Sequence, residues 1–231
     1  MLIGPQNLAV HVNHVRSRIR NAALAAGRDP STVTLIAVGK TQTAESCRAV
    51  ATAGVTDFGE NYLQEGLAKR AALSDLALHW HFIGRLQSNK TRAIAEHFEW
   101  VHSVDRAALA RRLSEQRPFH ASPLNVCIQV TLVPEPTKGG TPPENLDELA
   151  AEVAALPRLR LRGLMCVPPP QPDLELQRMV FSRLRNLFDD LNARGFKLDT
   201  LSMGMSEDFE AAISQGSTQV RLGSALFGPR Q

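Results

Sequence analysis

The sequence predicts a single closed (β/α)8 barrel, and three observations carry that prediction. Eight short apolar or β-branched runs alternate with stretches of helical periodicity, as parallel strands require because each needs a crossover to the next. Eight such units use nearly all 231 residues, with no Pro/Gly/Ser-rich linker or composition shift to mark a boundary, so residues 1–231 read as one domain. No G-x-G-x-x-G follows the first strand signal, where an open dinucleotide-binding sheet would place it.

The elements follow in order. Leu8, Val12, Val15, Ile19, Ala22 and Ala26 recur at spacings of three and four, the stripe of an amphipathic helix within residues 1–28 that packs on the barrel. Gly27 is placed to end it, and Asp29-Pro30 to turn the chain. Strand signals then come at VTLIAVG (33–39), VTDFG (55–59), HWHFIG (79–84) and EWVHSV (99–104). The second half supplies NVCIQVT (125–131), RLRGLM (160–165), DTLSM (199–203) and TQVRLG (218–223). Between the fifth and sixth signals, Thr141-Pro-Pro-Glu144 resembles a capping box feeding Leu146, Leu149, Ala150 and Val153. Residues 174–191 form a longer amphipathic stretch that Gly195 should stop. Ser206 is placed to cap the helix after the seventh strand, with Glu207 and Asp208 in its first turn.

Composition narrows the function. With 43% hydrophobic residues and a net charge of +3, the chain is neither disordered nor strongly polyionic. No run approaches the roughly 18 apolar residues that cross a bilayer, and the start lacks the basic and cleavable regions of a signal peptide. The excess of 26 basic over 23 acidic residues is too small to argue for nucleic acid. The densest basic stretch, RLQSNKTR (85–92), has no aromatic on which a base could stack; it reads as an anion-holding or a solvated loop. Cys47, Cys127 and Cys166 are odd in number and contain no C-x-x-C, which implies neither a disulfide framework nor a zinc site and suits a reducing cytoplasm.

A barrel holds its chemistry at the C-terminal ends of its strands. Those positions are Lys40, Glu60-Asn61, Gly84-Arg85, Ser103, Thr131, Met165-Cys166, Ser202-Met-Gly204 and the run from Arg221 to Ser224. Lys40 ends an apolar strand, so its amine either reaches solvent or lies at the barrel mouth, where desolvation favours the neutral form that builds a Schiff base. Gly223-Ser224 and Ser202-Met-Gly204-Met-Ser206 are glycine turns at helix N-termini, which serve tight βα geometry or leave N–H groups free for phosphate. Together with Lys40 they point to an aldehyde-bearing phosphate, either pyridoxal phosphate (PLP) or a sugar phosphate. Arg221 separates these if it faces inward: a permanent cation beside a pyridine nitrogen keeps that nitrogen unprotonated and weakens the ring as an electron sink.

Longer motifs carry a resemblance. AVGK around Lys40, FGENYLQE (58–65), WHFIGRLQSNK (80–90), HSVD (102–105), RGLM (162–165), DTLSMGMS (199–206) and VRLGSALFG (220–228) resemble the PLP homeostasis protein family of the YggS/PROSC type. The resemblance runs from Lys40 to the C-terminus. It implies a single TIM barrel like the N-terminal domain of alanine racemase, with PLP held as a Schiff base on Lys40. It further implies that Ser202, Gly223 and Ser224 hold the phosphate, that Arg221 faces the pyridine nitrogen, and that Asn61, Met165 and His81 line the ring. The sequence departs from the family at Gly39, often serine, at Gln42-Thr43, often Lys-Pro, and at Ser224, often threonine. Thr137-Lys-Gly-Gly140 replaces a Ser-Lys-x-Gly loop, which leaves the role of Lys138 open.

The resemblance implies a protein of PLP (vitamin B6) and amino-acid homeostasis with no established catalysis, and the reading adds a cytoplasmic protein, monomeric or weakly associated, in transient contact with PLP-dependent apo-enzymes. Two alternatives stand beside it. One is a PLP-dependent racemase using Lys40 and Tyr62, the sole tyrosine, which could approach from the second strand's loop or pack beneath it. The other is a Schiff-base aldolase acting on sugar phosphates.

Overall fold

A computed structural model describes residues 5–133 and 139–228. Eight parallel strands close a barrel in sequence order: β1 (Thr34–Val38), β2 (Asp57–Glu60), β3 (His79–Phe82), β4 (Trp100–Val104), β5 (Leu124–Gln129), β6 (Leu159–Met165), β7 (Thr200–Ser202) and β8 (Gln219–Leu222). Each falls on or within one residue of its strand signal. β8 closes on β1 in the register Ile36 opposite Arg221, which sets the last strand's arginine beside the strand that leads to Lys40.

The helices alternate as the crossovers demand: α1 (Pro5–Ala25), α2 (Ala44–Thr52), α3 (Leu63–Ala72), α4 (Thr91–His97), α5 (Ala107–Gln116), α6 (Leu146–Ala154), α7 (Leu174–Ala193), α8 (Phe209–Ser214) and α9 (Ser224–Phe227). α1 lies outside the repeat. Leu8, Val12, Val15, Ile19 and Ala23 are buried on its inner face, where it packs on α2, α8 and α9. The stripe has drifted from the expected Ala22 to Ala23, as 3.6 residues per turn requires over five turns. Arg18 on α1 pairs with Glu210 on α8 at 2.6 Å, and Arg28 donates to the carbonyls of Ile213 and Ser217. Gly27 and Gly195 end α1 and α7 with φ of 66° and 97°. No helix among the described residues is long and apolar enough to cross a membrane.

Two caps differ from expectation. Thr141 does not cap α6. It is buried and extended, bridging Val130 with backbone bonds to Gln129 and Thr131, and a short 3-10 turn at Pro143–Asn145 leads into the helix instead. The following prolines favour extended backbone before them, and the rim of β5 supplies partners for it. Ser206 does not cap α8 either; Asp208 occupies that position, and its carboxylate accepts the Met205 N–H at 2.6 Å.

Candidate functional site

A cavity of about 330 Å³ opens at the C-terminal mouth of the barrel. Strand ends deliver Lys40 from β1, Asn61 from β2 and Arg221 from β8; the loops after β7 and β8 deliver Ser206, Gly223 and Ser224. Five of the eight expected residues therefore meet in one place: Lys40, Asn61, Arg221, Gly223 and Ser224. Val38, Ile83 and Val167 supply apolar wall, and Met205, Glu207 and Asp208 complete the β7 side.

The phosphate-type turns are joined to each other. Gly204 has φ of 95°, and a Cβ there would lie 2.7 Å from that of Ala212, so only glycine makes this turn against α8. The Gly204 carbonyl accepts the Arg221 N–H at 3.0 Å, tying the turn to β8. Ser206 Oγ accepts the Ala225 N–H at 3.2 Å, so the hydroxyl expected to cap α8 stands against the start of α9. A Cβ at Gly223 would meet nothing nearer than Val38 at 3.6 Å, which leaves that backbone approachable.

Three expected residues lie elsewhere. Ser202 is fully buried below the cavity, with its hydroxyl between His102 Nδ1 and Arg221 Nη1, each at 2.7 Å. His81 is fully buried between His102 Nε2 at 2.9 Å and Asp57 Oδ1 at 3.0 Å, and stacks on Trp100. Met165 is buried in β6 and stops short of the wall, which Val167 reaches two residues later. Strand alternation assigns a side chain to the inside of a barrel but not to a layer along its axis, and the hydrogen bonds of Ser202 and His81 set them beneath the cavity.

Arg221 faces inward. Nη1 donates to Ser202 Oγ and Nη2 to the Cys166 carbonyl at 2.8 Å. Burial pulls its pKa below the ordinary value, yet a guanidinium remains charged. Burial also lowers the His81 and His102 imidazoles, and the neighbouring His81 and Arg221 lower His102 further. Asp208 moves the other way, its carboxyl raised by burial.

The turn that carries Lys40 is gripped from both sides by residues the sequence did not single out. Lys69 Nζ, on α3, donates to the Gly39 carbonyl at 2.5 Å and to Glu60 Oε1 at 2.8 Å, with Glu65 Oε2 at 3.4 Å. Glu65 Oε2 also accepts the Thr41 N–H at 2.9 Å. Thr41 is the one non-glycine residue at positive φ (64°) among those described, a strained conformation for a β-branched side chain, and it follows Lys40 directly. The only sequence signal was the spacing Glu65–Lys69 on one helix face, which also occurs on solvated surfaces.

Tyr62 is 56% exposed, so it does not pack beneath its loop, and it is not among the residues that line the cavity. Lys138 lies outside the described residues.

Residues 10–231 match the family described as alanine racemase, N-terminal domain. The pyridoxal phosphate homeostasis protein of Pseudomonas aeruginosa is 59% identical over 223 residues, covering 96% of both chains. That of Escherichia coli is 48% identical over 227 residues, covering 97% of both. Among solved structures, PipY of Synechococcus elongatus with PLP bound superposes with a TM-score of 0.86 at 37% identity, over 96% of this chain and all of that one. Alanine racemase of Clostridium difficile superposes at 0.76 and 16% identity, with 97% of this chain on 57% of that one, which shows a shared fold.

Proposed function

The chain belongs to the pyridoxal phosphate homeostasis protein family, and on that premise we propose that it binds PLP at the barrel mouth, on Lys40, and passes it to PLP-dependent apo-enzymes. The observation that carries this reading is the convergence of Lys40 and an inward-facing Arg221 in one cavity, beside the joined turns of Ser206 and Gly223.

The residues present fit the cofactor. The Asn61 carboxamide oxygen is buried at the cavity wall with no hydrogen-bond partner among the described residues, a state that a polar ligand relieves. When bound, PLP supplies an aldehyde that a lysine amine captures and an aromatic ring whose electron demand depends on protonation of its nitrogen. Lys40 provides the amine. Ser206, Gly223 and Ser224 flank the place for the phosphate, and in this reading Ser206 takes the role expected of Ser202. Arg221 carries the cation that opposes protonation of the ring nitrogen, and Val38, Ile83 and Val167 exclude water from the ring's faces.

The same geometry favours a carrier over a racemase. A racemase needs a base on each face of the substrate carbon, and the exposed Tyr62 supplies none at this cavity. We further infer that residues 1–231 act as one monomeric, cytoplasmic domain, in keeping with three free, buried cysteines. To test delivery, the PLP-loaded protein is mixed with a PLP-dependent apo-enzyme in the presence of a phosphatase that destroys free PLP. Recovery of enzyme activity supports delivery; recovery only when the phosphatase is omitted refutes it.

A further inference from the structure

A chain of buried polar side chains crosses the barrel beneath the cavity, and neither the fold nor PLP capture by Lys40 requires it. It begins at Asp57, at the start of β2, and passes through His81 on β3, His102 on β4 and Ser202 on β7 to Arg221 on β8. The four links measure 3.0, 2.9, 2.7 and 2.7 Å. His81, His102 and Ser202 are all fully buried. A core of this kind is normally apolar, since every buried polar group must find a partner.

The chain has one direction. A guanidinium only donates, so Ser202 Oγ accepts from Arg221. Among the described residues, the acceptor left within reach of the Ser202 hydroxyl proton is His102 Nδ1, which must then be bare. Burial keeps that imidazole neutral, so its proton sits on Nε2 and is donated to His81 Nδ1. The proton of His81 is therefore on Nε2 and goes to Asp57. The far end agrees: Asp57 is a carboxylate, held below its ordinary value by bonds from His81 and Thr56 that outweigh the upward push of burial. A cation at one end and an anion at the other polarise every link between them in the same sense.

We propose that Ser202, His102 and His81 are positioning residues that lock the Arg221 guanidinium in place, so that its charge stays against the ring nitrogen of the bound cofactor. This rests on the PLP reading. Ser202 is the critical link because it is the sole member that touches Arg221. Serine there is a neutral acceptor, so it leaves the guanidinium's positive charge uncompensated, whereas a carboxylate partner would offset it.

Two measurements test the relay, and they fail independently of each other. The first is the ¹⁵N spectrum of the imidazoles in the protein without added cofactor. Both His81 and His102 should be neutral with the proton on Nε2; a proton on Nδ1 of either ring, or a charged ring near neutral pH, overturns the direction of the chain whether or not PLP binds. The second uses PLP labelled with ¹⁵N in its ring. In the unsubstituted protein the ring nitrogen should resonate as an unprotonated pyridine. In Ser202→Ala it should shift towards the protonated position, with PLP affinity lower by about tenfold. Ser202→Thr, which keeps the hydroxyl, should restore both. An unchanged ring-nitrogen resonance in folded Ser202→Ala overturns the proposal. A protein that takes up no PLP refutes the functional reading instead, and the imidazole spectrum still decides the relay.

Discussion

Replacing Lys69 with methionine tests how the Lys40 turn is held. Methionine keeps much of the side chain's volume and removes the ammonium that touches Gly39 on one side of Lys40 and, through Glu65, Thr41 on the other. The partner left behind is Glu60, whose side chain is 0% exposed and whose second oxygen already has no partner among the described residues. Breaking a buried pair by removing one member costs about 3–5 kcal/mol, because the remaining charge is stranded. At roughly 2–4 °C per kcal/mol for a chain of this size, Lys69→Met should melt about 6–20 °C lower. The loss should also depend on pH. Burial already raises the Glu60 carboxyl above its ordinary value against the pull of Lys69, and removing Lys69 raises it further. A carboxyl raised in the folded state adds stability below its unfolded pKa and loses it as pH climbs through the folded one. Urea melts at about pH 5 and about pH 8 should therefore show the larger penalty at the higher pH, where more of this buried carboxyl is ionised. Glu60→Gln added to Lys69→Met should recover part of it. A loss under about 1 kcal/mol, equal at both pH values, is what an exposed pair would give; it would refute the claim that this cluster braces the turn.

Other outcomes follow from the same geometry. Ser206→Ala should weaken PLP binding by roughly tenfold, the worth of one hydrogen bond to a charged group, and an unchanged affinity in a titration would return the phosphate role to Ser202. Tyr62→Phe should leave PLP uptake and melting temperature unaltered, because the ring is exposed and off the cavity; a measurable loss of binding would put that hydroxyl at the site. Burial pushes the thiols of Cys47, Cys127 and Cys166 up to about 12. A thiol reagent near neutral pH should label none of them in the folded protein and all three in denaturant.

Strand and helix order was legible because the barrel repeats one unit, and each unit writes its own alternation of apolar run and amphipathic stretch. Local punctuation was less so. Thr141 carries a capping signature, but the prolines after it and the open rim of β5 hold it extended. The candidate site was legible at the strand ends themselves, where Lys40, Asn61, Arg221 and Gly223 all reach the cavity. It was not legible in depth: Ser202 and Ser206 flank the same turn, and only the fold shows the first below the cavity and the second at its wall. Gly39 shows a similar limit. It reads as a departure from serine, and only the fold shows that a Cβ there would stand 2.5 Å from Glu60 Oε1, twenty-one residues away.

In the proposed function, Lys40 is the residue that holds PLP. Borohydride reduction of the PLP-loaded protein, followed by peptide mapping, reads this directly because reduction makes the lysine linkage permanent. A pyridoxyl label is expected on the peptide containing Lys40, and none at that peptide's position in Lys40→Ala. A label on another lysine, or no label on the unsubstituted protein, would contradict it.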